Sequence, residues 1–437
     1  MKSAESHKIV IVGGGVAGMD LASSLGRQAR RGVGSSRSIT VTLVDRHASH
    51  IWKPMLHTIA AGTSDISQQQ TPFIAQAIQA GFSYLPGALS AIDRHAQEIV
   101  LAPARSPDDR LLIPEQRIAY DTLVLALGSE ADDFGTLGVA NHCWRIDALD
   151  QAQAFNNELR LRMLQSFVMH EQLDIAIVGG GATGVELAAE LVRLTELSEA
   201  YGAHGLSGRI SITLIESGDR LLAAFPEDIS RQAMERLTSL NVKVMSRSRV
   251  RSAQPDGFVL QDGTHVAATL KVWAAGVKAP GFLAWIDGLE SGAGNRLVVR
   301  PSLQCTNDSD IYAIGDCASL TLPGKEKALA PTAQVASQQA GHLSKYLFPA
   351  ILGKSAPPPF KHKDFGSLVS LSEYDAYGSL GRFGFFRGQT FYGRLAHFSH
   401  AMLYRKHQIR VHGFWRGSAI WLVDLLNKGL RPGIKLD

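Results

Sequence analysis

The sequence predicts an α/β fold that contains two similar units of parallel strands and helices. A short apolar run leads into the pattern G-x-G-x-x-G twice, at residues 13–18 and at residues 179–184. In this pattern the first glycine makes a tight turn, the second lets backbone approach a pyrophosphate, and the third packs helix against strand. The helix N-terminus then offers unpaired N–H groups to the phosphates. The glycines that define the two loops are Gly13, Gly14, Gly15, Gly18, Gly179, Gly181 and Gly184.

An acidic residue follows the second strand-like segment of each unit. Residues 39–44 lead to Asp45, and residues 210–215 lead to Glu216. Both acids lie farther from their glycines than the usual ~20 residues, because each unit carries a polar insert that contains glycine. A carboxylate here accepts hydrogen bonds from ribose hydroxyls and repels a 2′-phosphate, so Glu216 favours NADH over NADPH. Arg220 is close enough to weaken that preference, and the alternative is that both acids are ordinary strand-end residues.

Two dinucleotides on one chain indicate that electrons pass between them. Strand-like segments at residues 121–129 and 312–318 flank the second unit, which predicts that this unit is inserted into the first. The triple proline at residues 357–359 marks a linker into a last region. We therefore expect a first nucleotide-binding domain at residues 1–130 and 295–355, a second at residues 150–290, and a C-terminal region at residues 356–437.

The composition describes a globular chain in a reducing compartment. The 437 residues are 45% hydrophobic and 19% charged, which is long enough for two or three domains. Three widely spaced cysteines, at positions 143, 305 and 317, form neither a disulfide framework nor a metal cluster, and no metal is expected. The polar N-terminus lacks a signal-peptide core. No uninterrupted apolar stretch reaches the roughly 18 residues of a transmembrane helix.

The C-terminal residues 376–437 differ in charge from the rest of the chain. They carry a net charge of +8, whereas the preceding residues carry −4, and they are rich in Phe, Tyr and Trp. Basic and aromatic residues together indicate contact with an anionic membrane surface. Asp424 interrupts the apolar run at residues 419–426, so this run is expected to lie in the interface and not to span. A packed subdomain or a dimer interface stays open, whereas no recognition motif supports nucleic acid.

The ordered motifs resemble one family of flavoproteins over nearly the whole chain. They are IVIVGGGVAGMDLA, HIWKPMLHTIAAG, YDTLVLALGS, IAIVGGGATGVELAAEL, VWAAGVKAP, DIYAIGDCA, APTAQVASQQAG and, in the tail, LYRKHQIRVHGFW. The chain resembles the flavoproteins with two dinucleotide-binding domains and, more narrowly, the type II, non-proton-pumping NADH:quinone oxidoreductases of bacterial respiratory chains. The resemblance implies two Rossmann-like domains, the first for FAD and the inserted second for NADH, followed by a membrane-associating or dimerisation region.

The resemblance also implies which residues form each site. Glu186 is the catalytic candidate, in the first helical turn after the second loop, where it orders the stacked rings or relays protons. The bland alternative is that Glu186 only complements the helix dipole. Gln334 and Gln338, four apart and so on one face of a helix, are assigned to the quinone. The FAD residues are the first four glycines, Asp45, Lys53, Leu89, Gly128, Asp316, Ala333 and Gln334. The NADH residues are Gly179, Gly181, Gly184, Glu216 and Gly276.

For the activity, the resemblance implies hydride transfer from NADH to FAD and then reduction of a membrane quinone, ubiquinone or menaquinone, without proton pumping. It further implies a homodimer that lies peripherally on the cytoplasmic face of the inner membrane.

One related class, the disulfide reductases, is excluded by the sequence, and three other interpretations remain open. Disulfide reductases need a cysteine pair near residues 50–62, which contain none. Sulfide:quinone oxidoreductases use distant cysteines, for which Cys143 and Cys305 are candidates, and ferredoxin-type reductases share both nucleotide domains. A non-enzymatic, flavin-bearing interaction protein is the third class. Oxidation of NADH by a soluble quinone separates these interpretations.

Overall fold

The computed structural model describes residues 6–32, 38–64, 66–106, 108–372, 374–380, 390–392 and 394–430. Its first part builds a parallel sheet with helices and a small antiparallel sheet. The elements are β1 (His7–Val12), α1 (Val16–Arg30), β2 (Ile39–Asp45), β3 (Ser49–His50), α2 (Leu56–Ala61), α3 (Ile66–Gln69), β4 (Thr71–Pro72), α4 (Phe73–Ala80), β5 (Ser83–Pro86), β6 (Leu89–Asp93), β7 (Glu98–Leu101), β8 (Ala104–Arg105), β9 (Leu111–Ile113), β10 (Gln116–Ala119) and β11 (Thr122–Leu125).

A second unit repeats this plan around its own parallel sheet, in the order β14-β13-β12-β18. Residues 175–178 in the middle of this sheet are all apolar and buried, as expected for a parallel strand that is covered on both faces. The elements are α5 (Val139–His142), α6 (Leu149–Met169), β12 (Leu173–Val178), α7 (Ala182–Ala200), β13 (Ile210–Ile215), α8 (Glu227–Ser239), β14 (Val242–Met245), β15 (Val250–Gln254), β16 (Gly257–Leu260), β17 (His265–Ala267) and β18 (Leu270–Trp273).

The chain then returns to the first sheet and completes it. The returning elements are β19 (Leu297–Val298), β20 (Ile311–Ala313), β21 (Ala318–Ser319) and α9 (Ala333–Ile351). Strand β20 pairs in parallel with β11, which gives the sheet order β20-β11-β1-β2-β5. In the sequence, the second unit is therefore inserted between β11 and β20, which are neighbouring strands of the first sheet. This confirms the predicted α/β fold of two Rossmann-like units, one inserted in the other.

The C-terminal elements form a small antiparallel sheet and two helices. They are β22 (Gly366–Leu371), β23 (Asp375–Leu380), β24 (Thr390–Tyr392), α10 (Arg394–His412) and α11 (Phe414–Leu430). Helix α10 packs against α1, the sheet and α11. Parts of the predicted tail, at residues 381–389, 393 and 431–437, lie outside the described residues. Within the part of the chain that is described, no helix is long and apolar enough to cross a bilayer.

One apolar cluster joins the two units to the C-terminal sheet. Helix α2 of the first unit packs against α6 and α7 of the second, and α7 also packs against β22. Ile59 of α2, Leu187 of α7 and Val369 of β22 are almost completely buried in this cluster. Because α7 begins at the second glycine loop, this packing fixes the start of that helix beside both neighbouring parts.

Candidate active site

The two glycine loops have nearly identical hydrogen bonds to their acids. Gly14 N donates to Asp45 Oδ2 at 2.6 Å, and Gly180 N donates to Glu216 Oε2, also at 2.6 Å. Burial opposes ionisation of Asp45, but hydrogen bonds from His47 and Gly14 outweigh it and lower the pKa of this carboxyl. A carboxylate accepts about four hydrogen bonds, so each acid retains capacity for ribose hydroxyls.

The glycines themselves fit two dinucleotides. Gly13 and Gly179 have φ angles of +100° and +116°, which L side chains rarely adopt. A Cβ atom on Gly13 would lie 2.4 Å from the carbonyl oxygen of Ala126, whereas a Cβ on Gly15 or Gly181 would meet nothing within 4 Å. The turn is therefore closed on its protein side and open on the side that a pyrophosphate approaches. These residues fit FAD in the first loop and NADH in the second.

Ser129 joins two of the predicted FAD residues, Lys53 and Asp316, in a hydrogen-bonded cluster. Lys53 Nζ donates to the carbonyl oxygen of Ser129 at 2.5 Å, and Ser129 Oγ donates to Asp316 Oδ2 at 2.8 Å. The buried amide of Gln339 accepts from Gly315 N at 2.7 Å and ties α9 to this turn. Gln339 was not predicted from the sequence, because spacing alone does not show which glutamine of the motif faces the interior.

The remaining predicted contacts lie along the same edges. Gly87 N donates to the carbonyl oxygen of Asp45 at 3.0 Å, which brings the segment before Leu89 beside the ribose-binding acid. Gly128 follows β11 with a φ of +70°, directly before Ser129 of the cluster above. The last two positions are Ala333, the first residue of α9, and Gly276, which follows β18.

Glu186 lies beyond the first turn of α7, and the predicted placement in that turn was wrong. The helix begins at Ala182, so Glu186 is its fifth residue, and no acid occupies the first turn. An α-helix has 3.6 residues per turn, and dipole effects fall off within one turn. The helix dipole therefore gives little reason for an acid at this position.

The surroundings of Glu186 are buried and contain further ionisable groups. The residue is only 7% exposed, Ser370 N donates to Oε1 at 3.1 Å, and His57 Nδ1 lies 3.6 Å from Oε2. Burial, with a contribution from Glu190, raises the pKa of Glu186 to about 8, although the bond from Ser370 opposes this shift. Glu190 in turn accepts from Thr63 Oγ1 at 2.6 Å. Glu186 is thus protonated at neutral pH and holds a proton in an apolar site.

The two glutamines assigned to the quinone share one partly buried face of α9, as their spacing predicts. Their amides, however, hold neighbouring backbone. Gln334 Oε1 accepts from Phe365 N at 3.1 Å, and Gln338 bonds both N and O of Lys363, at 2.9 and 2.8 Å. Gln334 Nε2 also donates to Gly366 O at 3.0 Å, and Gln338 Nε2 donates to Gln334 Oε1 over a long 3.5 Å. Gln334 therefore retains one N–H donor, and Gln338 retains one acceptor position. A direct contact with a quinone is therefore a prediction that shares these side chains with a structural role.

Arg220 does not lie where it would bind a 2′-phosphate. Its guanidinium donates to the carbonyl oxygens of Phe225 and Ala223, each at 2.9 Å. The cation is thus committed to closing its own loop, while the Glu216 carboxylate faces the glycine turn. The doubt that Arg220 raised about NADH preference is weakened by this geometry.

The cysteines do not support a sulfide-oxidising site. Cys143 and Cys305 lie in different hydrophobic clusters. Burial raises the pKa of each thiol to about 12, so neither is a thiolate at neutral pH. A reaction that needs two cooperating thiolates lacks them here.

Comparison with known proteins decides the family. Residues 7–340 match the family model described as pyridine nucleotide-disulphide oxidoreductase. The chain is 39% identical to the type II NADH:quinone oxidoreductase of Haemophilus influenzae, over 98% of this chain and 99% of that protein. The chain belongs to the type II NADH:quinone oxidoreductases. The corresponding protein of Staphylococcus saprophyticus is 26% identical over 86% of this chain and 90% of its own length.

A solved structure supports the fold. The structure of NDH2 from Plasmodium falciparum in complex with NADH superposes with a TM-score of 0.79 at 20% identity, covering 99% of this chain and 100% of that one. The resemblance stated from the sequence motifs is therefore confirmed at the level of family and architecture.

Replacing Glu216 with glutamine should erode the preference for NADH over NADPH. Glutamine keeps an acceptor for Gly180 N but removes the charge that repels a 2′-phosphate. Hydrogen bonds to charged groups are worth about 1.5–3 kcal/mol, so the ratio of kcat/KM values should shift roughly tenfold or more, mainly through KM. The matched control is Arg220→Gln, which should leave the ratio unchanged. Equal kcat/KM for both nucleotides in the unmodified protein would contradict the assignment of Glu216.

Proposed function

We propose that this chain oxidises NADH and reduces a membrane quinone through one bound FAD, without pumping protons. The observation that carries this proposal is the duplicated loop. Two glycine turns of the same geometry each bond an acid at 2.6 Å, and the helix that starts at the second turn carries a buried acid, Glu186. We assign residues 1–130 and 295–355 to FAD, residues 150–290 to NADH, and residues 356–437 to membrane or dimer contacts.

FAD held at the first glycine loop would supply a hydride acceptor for NADH and a two-electron donor for the quinone. The chain supplies position and a proton. Asp45 and Glu216 orient the two adenosine riboses, and the cluster of Lys53, Ser129 and Asp316 holds the backbone next to the flavin. Conversion of a quinone to a quinol needs two protons, of which the hydride brings one. Glu186, protonated at neutral pH, is the group that we assign to hold the other.

The quinone site is assigned to the same partly buried face of α9. Gln334 and Gln338 hold the backbone of residues 363–366. The second N–H of Gln334 can donate to a quinone carbonyl, and an N–H of Gln338 can do so in place of its long 3.5 Å bond to Gln334. Their bonds to this backbone support a site whose wall is formed by the segment that leads into β22. Either a direct contact or the shape of this wall would make quinone affinity depend on Gln338.

The membrane contact is assigned to α11. Trp415, Ala419, Leu422 and Leu426 follow one another at helical spacing, and all four are exposed. Arg416 is also exposed and adds positive charge beside them. This stripe supports peripheral attachment to the cytoplasmic face of the inner membrane, where the quinone is dissolved. Contact with a second copy in a homodimer uses the same kind of surface and is an outcome of the test below.

Glu186→Gln should lower turnover and change its pH dependence. In the unmodified protein, the acid form of Glu186 is lost as pH rises through about 8, so turnover of NADH with a water-soluble quinone should fall over that range. The glutamine variant should lack this falling limb and turn over more slowly at neutral pH.

Glu190→Gln provides the matched variant. It keeps the Glu186 carboxyl but removes a neighbouring charge that raises its pKa, so the falling limb should move to lower pH. Superimposable pH profiles for the three proteins would exclude Glu186 as the proton donor. Absence of quinone-dependent NADH oxidation in the FAD-loaded protein would contradict the proposed function itself.

Gln338→Ala should raise the KM for quinone and leave reduction of the flavin by NADH nearly unchanged. One neutral hydrogen bond contributes about 0.5–1.5 kcal/mol, so the effect should be several-fold. Stopped-flow measurement of the two half-reactions separates them. Lys345→Ala, on an exposed part of the same helix, is the control. Slow flavin reduction with normal reoxidation by quinone in Gln338→Ala would place this residue elsewhere in the reaction.

Replacing Trp415 with serine should weaken binding to anionic phospholipid vesicles. Burial of a large apolar side chain contributes about 1.5–3 kcal/mol, so the vesicle partition constant should fall roughly tenfold or more in a sedimentation assay at low salt. Trp285→Ser is the matched control, because Trp285 is 87% exposed and Trp415 83%. The membrane assignment is wrong if the unmodified protein stays in the supernatant. If, in addition, the unmodified protein is a dimer and the Trp415→Ser variant is a monomer, α11 is a dimer element.

A further inference from the structure

The backbone carbonyl of the middle glycine in each Gly-Gly-Gly turn, Gly14 or Gly180, has a different hydrogen-bond partner in the two loops. In the NADH loop, Gly180 O accepts from the backbone N–H of Leu222 at 2.7 Å. In the FAD loop, Gly14 O faces the ring nitrogen Nδ1 of the His50 side chain at 2.8 Å. The bonds from the same two glycines to their acids are otherwise equal in length. The use of an imidazole is therefore a specific feature of the FAD loop.

The His50 side chain continues into a buried chain of polar groups. Its Nε2 lies 2.8 Å from Nε2 of His407 on α10, and His407 Nδ1 lies 3.2 Å from Asp20 Oδ1 on α1. All three side chains are buried, and the indole of Trp52 packs on the His407 ring with centroids 4.4 Å apart. Asp20 Oδ2 also accepts from Ser337 Oγ at 3.0 Å. Four separate segments of the chain thus meet behind the FAD loop.

The hydrogen-bonding capacities fix the direction of this chain. A carbonyl only accepts, so His50 Nδ1 must carry a proton and donate to Gly14. Burial, with His407 adding to it, lowers the pKa of His50 to about 3, so the ring is neutral and its Nε2 accepts. His407 Nε2 must then donate. His407 Nδ1 faces Asp20 Oδ1 at 3.2 Å, so the other side of the His407 ring lies against a carboxylate.

We propose that His50 is a positioning residue for the FAD loop and that His407 of α10 holds it in place. This inference rests on the proposed binding of FAD at the first loop. A carbonyl bonded to nearby backbone moves together with its own loop, as in the NADH unit. The Gly14 carbonyl is instead tied through His50 to His407, which lies 357 positions beyond His50 in the sequence. The C-terminal helix therefore helps to retain FAD although it contributes no residue to the glycine loop.

The difference matches what each nucleotide must do. NADH has to leave its loop in every turnover, whereas FAD stays bound through all of them. A loop that is anchored to the C-terminal helix resists the opening through which a dinucleotide would escape.

Charged groups surround this chain of side chains. Arg410 Nη1 lies 3.4 Å from Asp20 Oδ2. Half-buried His412, the Arg27 guanidinium, which donates to Val411 O at 3.0 Å, and Asp45, which acts on His50, also lie near this chain.

Retention of FAD by the full-length protein tests the proposal. His407→Phe should raise the FAD dissociation constant about tenfold, the effect of leaving one buried partner unsatisfied. Release is followed by the increase in flavin fluorescence on dilution, without turnover. The KM for NADH, measured at saturating FAD, should not change, because Gly180 has its own backbone donor. His407→Gln should recover most of the affinity, since its amide N–H donates towards His50.

His412→Phe is the matched control on the same helix. It removes an imidazole whose closest described partner is Thr71 at 3.4 Å and which is outside the chain to Gly14. This variant should keep the FAD affinity of the unmodified protein. Equal loss of FAD from His412→Phe and His407→Phe, or a parallel rise in the KM for NADH, would overturn the proposal. A protein that retains FAD as described but reduces no quinone would contradict the proposed function alone.

Imidazole NMR of the unmodified, FAD-loaded protein tests the same proposal where a variant fails to fold. With ¹⁵N-labelled histidine, His50 should be a neutral ring protonated at Nδ1, and His407 should carry a proton at Nε2. The two rings are assigned from their mutual through-space contacts. A His50 ring protonated at Nε2, or a His407 ring with a bare Nε2, would overturn the proposed chain of donors.

Discussion

The whole architecture depends on a close approach of backbone that only glycine permits, made twice. A Cβ on Gly18 would lie 1.7 Å from the carbonyl oxygen of Gly13, and a Cβ on Gly184 would lie 2.0 Å from that of Gly179. These contacts press the start of each helix onto the end of its strand. The acid at the end of the neighbouring strand then reaches the N–H of the middle glycine. The positions of Asp45 and Glu216 at the two glycine turns, and the approach of Glu186 to the C-terminal sheet, follow from this one constraint.

The buried acid is stabilised by surroundings that keep it neutral. Ionising Glu186 would place a charge in a buried site beside Glu190, and the bond from Ser370 N does not compensate for this burial. The folded pKa exceeds that of an exposed glutamate. The resulting contribution to stability is fully present below the unfolded value near ~4.3 and is lost as pH rises towards about 8. The fold thus gives up stability at alkaline pH and keeps a protonated acid between α7 and the C-terminal sheet.

Local patterns were enough to predict the fold and the outline of both loops, because apolar strand, glycine turn and strand-end acid are short-range features. The remaining features depend on tertiary contacts. Glu186 was placed in the first turn because the helix start was counted from the last glycine, whereas α7 begins at Ala182. The partners of Gln338 and Arg220 are backbone groups that no motif records. The His50–His407 contact joins two motifs that lie 357 positions apart in the sequence, so no local pattern connects them.

A single C-terminal segment is assigned two tasks, and its geometry explains how they are compatible. Helix α10 turns His407 and Val411 inward against α1 and the FAD loop, while α11 presents Trp415 and Leu422 outward. Since binding equilibria that share one element are reciprocally linked, whatever stabilises α10 in its docked position also stabilises the loop behind Gly14. Attachment of α11 to a membrane would restrain α10 through their mutual packing. An enzyme whose second substrate is dissolved in the membrane would then hold its flavin most firmly at the surface where that substrate is available.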